Sequence, residues 1–339
     1  MPSGKLLAAM SGGVDSAAAA RLLLDEGYDV LGAFMVLHDS AAAEAEQAVR
    51  TAAALGIPLE VLDLRQTFSQ QVQARFQADW AAGKTPNPCV TCNKAIKFGA
   101  LLDAAAELGC GRLATGHYAR TEAENGRTLL RMGVDENKDQ SYFLARLDQR
   151  QLSAAYFPLG GLTKAQVREL AGNLPAAQNR ESQDVCFLPE GDYAAWLAER
   201  GFHFTPGNFI LSDGTVLGPH NGAERLTIGQ RRGLGIAMGQ RVYVTARRGD
   251  DLVVGPEEDL MHRRVRLTDL NLIPVAALKE SVRVAARLRY RHRAAPAWLH
   301  PLEDGGAVVE FDTPQRAPAP GQTAVCYVDD YVFCAGEIT

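Results

Sequence analysis

A short glycine-rich segment near the N-terminus has the composition of a phosphate-binding loop. Its sequence, SGGVDS, occupies Ser11–Ser16, between an apolar run and an alanine-rich helical pattern. Gly12 and Gly13 lack a Cβ atom, so the backbone can turn sharply and approach a ligand closely. The first turn of the next helix adds N–H groups and the positive end of the helix dipole. The segment therefore predicts a polyphosphate site, where the two serines donate hydroxyls and Asp15 binds Mg²⁺.

This hexapeptide is not a Walker A loop, because no Gly-Lys-Ser or Gly-Lys-Thr closes it. It is similar to the PP-loop of enzymes that grip the pyrophosphate of ATP and transfer AMP to a carbonyl or carboxylate. The alternative is an ordinary glycine-rich turn ahead of a capped helix. The strand–turn–helix context favours the PP-loop.

Two of the six cysteines have sequence neighbours that favour thiol chemistry. Cys92 and Cys186 lie in stretches expected to be irregular loops with polar flanks, where a thiolate can be exposed. A helix that begins near Asn93 would lower the pKa of Cys92 through its dipole. The pair Cys89–Cys92 alone is ambiguous between a redox pair, half a zinc site and coincidence. The remaining cysteines are expected to be small buried residues; they are Cys110, Cys326 and Cys334.

Composition narrows the class of protein. The chain has 339 residues, 47% of them apolar, and a net charge of −5. It contains no apolar run of the ~18 residues that span a membrane, and no targeting segment is expected ahead of the first strand. We therefore expect a cytoplasmic protein. Basic residues cluster locally near residues 225–232 and 283–293, which predicts phosphate-binding patches, although such clusters are often only solvated faces.

The pattern of elements predicts a mainly α/β protein with a β-rich C-terminal part. Residues 1–64 alternate strand and helix, which favours a doubly wound parallel sheet. Further helices are expected at 66–82, 94–108, 163–171 and 193–200, and a hairpin is expected around Asn125-Gly126. After Gly201, short strands and glycines replace helical periods. The predicted domains are a PP-loop ATP-binding domain at 1–200, a small central domain at 201–260 and a C-terminal β-barrel at 261–339.

Several further motifs together resemble one family, the bacterial tRNA-specific 2-thiouridylases. The resemblance extends from the first strand to the last, and generic PP-loop enzymes share only the first motif. The motifs are SGGVDS, FM at 34–35, TPNPCVTCN at 85–93, IKF at 96–98, ATGHYAR at 114–120, KDQSYFL at 138–144, ESQDVCFLP at 181–189, TIGQRRGLG at 227–235, VYVT at 242–245, RYR at 289–291 and PGQTAVCY at 320–327.

The resemblance implies sulfur transfer to the 2-position of the wobble uridine in the tRNA anticodon stem-loop. ATP would adenylate the 2-carbonyl oxygen and release pyrophosphate. A persulfide on Cys186, loaded by an upstream sulfur carrier or cysteine desulfurase, would supply the sulfur. Cys92 would act as the nucleophile that releases this sulfur or helps to expel AMP, and the two residues would end as a disulfide.

The resemblance also assigns binding positions one by one. Asn87, Pro88 and Cys89 match the segment that touches the target base. Positions that match ATP contacts are Ala9, Met10, Ser11, Gly12, Gly13, Val14, Asp15, Ser16, Met35 and Gly116. Positions that match tRNA contacts are His117, Lys138, Asp139, Gln140, Tyr290, Arg291 and Gln322. For His117, a loop histidine packed against Tyr118 is an equal alternative.

One position departs from the family pattern. Some members have Asp where this chain has Cys89, so three thiols, those of Cys89, Cys92 and Cys186, are candidates to converge. Three thiolates can hold a [4Fe–4S] cluster with one iron open for sulfide, which competes with the persulfide route. Two other functions stay open: a different PP-loop AMP-forming ligase, which needs no paired cysteines, and a non-catalytic tRNA-binding protein, which leaves Ser11–Ser16 unexplained.

Overall fold

The computed structural model describes residues 4–178, 185–188 and 192–339. Its strands are β1 (Lys5–Ala9), β2 (Asp29–Val36), β3 (Leu59–Asp63), β4 (Arg112–Ala114), β5 (Ala119–Glu124), β6 (Arg127–Met132), β7 (Ala155–Tyr156), β8 (Gly207–Ile210), β9 (Val216–His220), β10 (Tyr243–Arg248), β11 (Asp251–Gly255), β12 (Met261–Leu272), β13 (Val282–Arg287), β14 (Ala295–Pro301), β15 (Ala307–Arg316), β16 (Thr323–Val328) and β17 (Tyr331–Ile338).

Helices concentrate in the first 200 residues, as the helical periods of the sequence predict. The α-helices are α1 (Val14–Asp25), α2 (Ala42–Leu55), α3 (Arg65–Phe68), α4 (Ala74–Ala81), α5 (Pro88–Cys92), α6 (Leu101–Glu107), α7 (Ser141–Leu144), α8 (Gln149–Ala154), α9 (Lys164–Ala171) and α10 (Tyr193–Glu199). Two π-helical segments, Ser69–Gln73 and Asn93–Ala100, join α3 to α4 and α5 to α6.

The first sheet is parallel and has the strand order β3-β2-β1-β4-β7. This confirms the doubly wound parallel sheet. Apolar side chains cover both faces of it: Leu7 and Leu31 belong to one core cluster, whereas Leu6 and Val30 belong to another. The turn after β1, the end of β2 and the end of β4 therefore meet at one edge, where open α/β sheets bind ligands.

The helix that carries the first two cysteines begins earlier than expected. Asn87 caps it, since its Oδ1 accepts a hydrogen bond from the Val90 N–H at 3.4 Å. Pro88 occupies the first helical position, which suits proline because that N–H needs no partner. The expected irregular loop around Cys92 and helix start near Asn93 are therefore wrong. Cys89 and Cys92 lie on one continuous helix, the cysteine helix, which runs from Pro88 to Glu107.

The C-terminal half consists of two β structures. Strands β8–β11 form a four-stranded sheet in the order β10-β11-β8-β9. Strands β12–β17 form a closed six-stranded barrel in the order β12-β15-β14-β13-β16-β17, and pairing of β12 with β17 completes the ring. The predicted β-barrel is confirmed.

The expected hairpin at Asn125-Gly126 is present and has an unexpected partner. Asn125 and Gly126 have φ of 50° and 76°, as a primed turn requires. The hairpin β5–β6 extends the barrel sheet, because Tyr331 of β17 pairs with Arg131 of β6. A piece of the N-terminal region thus belongs structurally to the C-terminal sheet.

Two further sequence predictions concern the buried cysteines and membrane-spanning helices. Cys110, Cys326 and Cys334 are buried, as small core residues should be. None of the helices among the described residues has the length and apolar character needed to cross a membrane.

Candidate active site

The glycine-rich loop adopts a conformation that requires its first glycine. Gly12 has φ of +77°, and a Cβ there would lie 2.8 Å from the Glu44 carbonyl oxygen. Hydroxyls hold the turn, since Ser16 Oγ donates to the Gly13 carbonyl at 2.9 Å and lies 3.2 Å from Ser11 Oγ. The loop leads directly into the twelve-residue α1, whose first turn faces the sheet edge. A phosphate there would receive backbone N–H groups and the helix dipole.

Asp15 is held by two side chains that the sequence did not associate with it. Its Oδ1 accepts hydrogen bonds from Lys164 Nζ at 2.7 Å and from the Tyr118 hydroxyl at 2.8 Å. Lys164, at the start of α9, has a side chain only 10% exposed, whereas that of Asp15 is 33% exposed. The site beside the loop therefore contains a cation, which can bind a phosphate directly, and a carboxylate, which can act on one through a Mg²⁺ ion.

The end of β4 brings the next residues to the loop. A Cβ on Gly116 would lie 2.8 Å from the carbonyl carbon of Asp15 and 3.0 Å from the Ser16 nitrogen. Only glycine permits this close approach. Met35, at the end of β2, packs between the central core cluster and the cluster that contains Cys92. The predicted ATP contacts therefore converge on one edge of the sheet.

His117 connects this edge to the cysteine helix. Its ring is buried and packs against Phe98 and Phe157, with ring centroids 6.2 and 6.1 Å away. His117 Nε2 lies 3.4 Å from Lys97 Nζ, and Nδ1 lies 2.7 Å from Thr115 Oγ1. Burial, followed by the charge of Lys97, holds the pKa of His117 well below its ordinary value. The ring of His117 is therefore neutral and enclosed by Phe98 and Phe157, and its tRNA contact stays a prediction.

The three candidate thiols lie in one neighbourhood but differ in exposure. Cys92 is buried, Cys89 is half-buried and Cys186 is exposed. Phe187, which follows Cys186, packs in the same apolar cluster as Cys92, together with Phe68 and Phe76. The expected activation of Cys92 by a helix start at Asn93 is wrong, because the helix begins at Pro88. Burial instead raises the pKa of this thiol to about 12. Loss of water around the sulfur atom also raises the pKa of Cys89 and of Cys186, although the Cys186 residue as a whole is exposed.

The arrangement of these thiols does not fit an iron–sulfur cluster. Within residues 4–178, 185–188 and 192–339, no three His, Cys, Asp or Glu side chains are spaced to hold a metal ion. Cys89, Cys92 and Cys186 are included in that set, so no step below is routed through a cluster. The motif around Cys186, ESQDVCFLP, is described only in part. Its residues 181–184 and Pro189 lie outside the described residues.

The KDQSYFL motif joins the first sheet to the barrel. Asp139 is 2% exposed and accepts hydrogen bonds from the Gly133 and Ser141 N–H groups at 3.2 and 3.1 Å. Arg287 of the barrel reaches its other oxygen at 3.5 Å. Gln140 accepts from the Tyr118 N–H at 3.0 Å. The carboxylate of Asp139 thus has partners only inside the protein among the contacts described. Of the tRNA-contacting residues predicted in this motif, Lys138 and Gln140 are half-buried and more accessible.

The barrel contributes the other predicted tRNA positions. Tyr290 packs against Phe143 with ring centroids 4.3 Å apart, and Arg291 is exposed beside it. Gln322 Nε2 donates to the Thr85 carbonyl at 2.8 Å. Thr85 in turn donates its N–H to the Pro320 carbonyl at 2.7 Å. Gln322 therefore positions the segment that leads into Asn87, Pro88 and Cys89.

Sequence reasoning missed three residues of this site: Tyr118, Lys164 and Lys97. Tyr118 and Lys97 lie within the quoted family motifs, but their types alone do not reveal contacts to Asp15 and His117. Lys164 follows Thr163, the N-cap of α9, and its position in the sequence indicates only that a helix begins there. Only the fold brings it to Asp15.

Three family models match the chain in succession. Residues 4–190 match the tRNA methyl transferase HUP domain, residues 197–254 match the tRNA methyl transferase PRC-barrel domain, and residues 262–338 match the aminomethyltransferase beta-barrel domain. The first match alone covers more than half of the chain.

Curated relatives match over nearly the full length. A protein of Heliobacterium modesticaldum named tRNA-specific 2-thiouridylase MnmA is 44% identical, with 98% of this chain and 92% of the relative covered. The protein of that name from Pelotomaculum thermopropionicum is 42% identical, with 100% and 98% covered. The one from Moorella thermoacetica is 44% identical, with 98% of each chain covered.

Proposed function

Because this chain belongs to the family of tRNA-specific 2-thiouridylases, we propose that it replaces the 2-oxygen of the wobble uridine of tRNA with sulfur. The reaction consumes ATP and gives 2-thiouridine. The observation that carries the proposal is the meeting of two chemistries at one sheet edge. The PP-loop contacts Gly116, and the next residue, His117, contacts the helix of Cys89 and Cys92.

The first step is activation of the base. ATP supplies an AMP group that turns the uridine 2-oxygen into a good leaving group, and pyrophosphate departs into the Ser11–Ser16 loop. Backbone N–H groups, the two serine hydroxyls and Lys164 would bind the phosphates. Asp15 would supply one carboxylate ligand to Mg²⁺, with phosphate oxygens as further ligands. Met35 and Gly116 would line the nucleotide.

The second step delivers sulfur. The Cys92 thiolate attacks the Sγ atom of a Cys186 persulfide, forms the Cys92–Cys186 disulfide and releases hydrosulfide with the bonding electrons. Hydrosulfide then adds to the activated C2, AMP leaves, and a proton is lost as the C=S bond forms. A thiol reductant must reopen the disulfide before the next turnover. The packing of Phe187 in the apolar cluster of Cys92 supports this pairing.

The partners follow from this chemistry. The tRNA anticodon stem-loop is the substrate, and its wobble base must leave the stack to reach Asn87, Pro88 and Cys89. A persulfide carrier or cysteine desulfurase would load the exposed Cys186. With these partners we expect the protein to act in the cytoplasm. The domains at 1–200, 201–260 and 261–339 would bind ATP, the tRNA and the anticodon stem respectively.

The names of two matching family models refer to methyl transfer, whereas the names of the relatives refer to thiolation. We favour thiolation, since a PP-loop beside two cysteines serves adenylation and sulfur transfer. Methyl transfer would use neither feature.

The role of Cys186 is tested by substitution with serine. Cys186→Ser should reduce 2-thiouridine to background because a serine oxygen cannot carry the sulfane sulfur. The measurement is nucleoside mass spectrometry after incubation with tRNA, ATP and a persulfide donor. Binding of tRNA should be unchanged, and Cys110→Ala, distant from the site, should retain thiolation. Normal thiolation by Cys186→Ser would refute the persulfide role.

The role of Asp15 is tested through pyrophosphate. In Asp15→Ala, tRNA-dependent pyrophosphate release should fall by roughly a hundredfold, as expected when an electrostatic contact to the transferring group is lost. Affinity for tRNA should stay within about twofold, since binding the RNA relies on other phosphate contacts. A collapse of tRNA binding with normal pyrophosphate release would contradict the assignment of the loop. Pyrophosphate release without tRNA in the unmodified protein would instead indicate another AMP-forming ligase.

A further inference from the structure

The cysteine helix contains a π-helical segment just after Cys92. In residues Asn93–Ala100 the hydrogen bonds span five residues, as in the bond from the Leu101 N–H to the Ile96 carbonyl. In an α-helix, residues five apart point in different directions. A π-turn has more residues than an α-turn and brings residues five apart much closer to the same side, and such turns are frequent at functional sites. Lys97 therefore lies one π-turn beyond Cys92 and on its side of the helix.

Lys97 acts on all three thiols. Burial is the main cause that raises the pKa of Cys89, Cys92 and Cys186, and in each case the charge of Lys97 opposes it. The thiols also raise one another's pKa, because neighbouring thiolates repel. The positive charge of Lys97 therefore favours the thiolate form of these cysteines, whereas desolvation disfavours it.

The position of the ammonium group is fixed by a buried neighbour. An ammonium is only a donor, so His117 Nε2, 3.4 Å away, must accept. The ring proton then lies on Nδ1 and is donated to Thr115 Oγ1 at 2.7 Å. Since the pKa of His117 lies well below its ordinary value, the ring stays neutral and keeps this acceptor at neutral pH.

We propose that Lys97 provides the positive charge that stabilises the sulfur anions formed when Cys92 and Cys186 react, and that His117 is a positioning residue that holds its ammonium. This inference rests on the proposed function for its use in catalysis. The titratable group in contact with Lys97 is His117, at the end of β4. The groups whose pKa its charge lowers are the thiols of Cys89 and Cys92, on the same helix, and of Cys186, in the 185–188 segment.

The test measures thiol reactivity in the free protein, without tRNA or ATP. Iodoacetamide alkylation of Cys92 and Cys186 is followed by peptide mass spectrometry between pH 6 and 10 in the unmodified protein, Lys97→Met, Lys97→Arg and Lys94→Met. Lys94 is an exposed lysine of the same helix and serves as the matched control.

The expected result is a loss of thiolate in one variant only. In Lys97→Met the pH profile should move to higher pH, and alkylation at pH 7 should slow roughly tenfold because the thiolate is the reacting form. Lys97→Arg should restore most of the rate, since it keeps the charge. Lys94→Met should match the unmodified protein.

If Lys97→Met does not fold, a second variant, Thr115→Val, tests the same proposal. Thr115→Val removes the hydroxyl that sets the His117 tautomer and should move the profile in the same direction by a smaller amount. Unchanged profiles in folded Lys97→Met or in Thr115→Val would overturn the proposal. So would a Lys97→Met protein whose only defect is weaker tRNA binding. Failure of the proposed function looks different: the unmodified protein would not thiolate tRNA, although the alkylation profiles could still differ between variants.

Discussion

At the scale of single residues, a lysine accompanies each acidic group of the site. Lys164 donates a hydrogen bond to Asp15, and the charge of Lys97 opposes the rise in the pKa of the Cys92 thiol. Lys164 is buried and Lys97 is half-buried, so salt screens their charges less than it screens surface charges. The reacting groups thus work in an environment where one added or removed charge has a large effect.

Removal of the Lys164 charge should impair the first step of the reaction. Lys164→Met leaves Asp15 without its 2.7 Å ion pair and the phosphates without a cation. We expect the KM for ATP to rise and pyrophosphate release to fall, together by roughly 10- to 100-fold in kcat/KM. Steady-state kinetics at saturating tRNA measures both. Arg21→Met, on the exposed side of α1, is the control; equal losses in the two variants would show that the effect is not local.

Some residues of the site can be identified from the sequence alone, and others cannot. Ser11–Ser16 can be identified because the whole phosphate loop is contiguous, and the cysteines can be identified because thiols are few. Lys97 cannot, since a spacing of five from Cys92 predicts different faces of an α-helix, and only the π-helical segment reverses that expectation. The buried setting of Asp139 is equally hidden, because its partner Arg287 lies in the barrel.

At the scale of elements, helix positions are predictable where capping signals are local. Thr163 and Gln166 form a capping box at the start of α9, and the sequence predicts this helix at that place. The start of the cysteine helix is predicted too late, because two prolines suggest a break. Pro88 instead begins the helix, with Asn87 as its cap.

The turn at Gly321, just before β16, packs against Lys84 and Thr85, which lead into the cysteine helix. Addition of a single methyl group at Gly321 should disturb this contact. Gly321 has φ of +87°, and a Cβ there would lie 2.6 Å from the Lys84 Cβ and 3.0 Å from the Thr85 nitrogen. Gly321→Ala should cost about 2 kcal/mol of unfolding free energy and lower thiolation more than stability alone explains. Chemical denaturation and the thiolation assay measure the two effects.

Gly305 offers a matched control for this substitution. Its φ is +82°, but a Cβ there meets nothing within 4 Å. Gly305→Ala therefore carries the backbone strain without the clash. If both variants lose the same stability and activity, the contact between the barrel and Thr85 has no role in the site.

At the scale of the whole molecule, a negatively charged protein is expected to bind a polyanion. The net charge is −5, so binding must rely on local basic surface such as the exposed Arg231, Arg232, Arg291 and Arg293. The affinity for tRNA should fall steeply with salt because phosphate contacts release counterions. Arg291→Gln should lower the slope of log affinity against log salt by about 1. Arg50→Gln, on α2 and paired with Glu46, should leave the slope unchanged; a flat salt response in the unmodified protein would contradict the basic surface.

The overall architecture is predictable because periodicity separates helical from β-rich regions. The pairing of β6 with β17 is not, since nothing local in residues 119–132 indicates a partner two hundred residues away. Pairing between distant strands depends on tertiary packing, which a local pattern does not contain.

That distant pairing has a consequence for the order of folding. During synthesis the hairpin β5–β6 emerges early, but the strand that receives it, Tyr331–Ile338, is translated two hundred residues later. The same strand closes the barrel by pairing with β12 and β16. Contacts of such long sequence separation form slowly, and unpaired strand edges stay exposed until they do. Closure of the barrel therefore waits for β17, and a ribosome that stops before this strand leaves an open barrel and an unpaired hairpin.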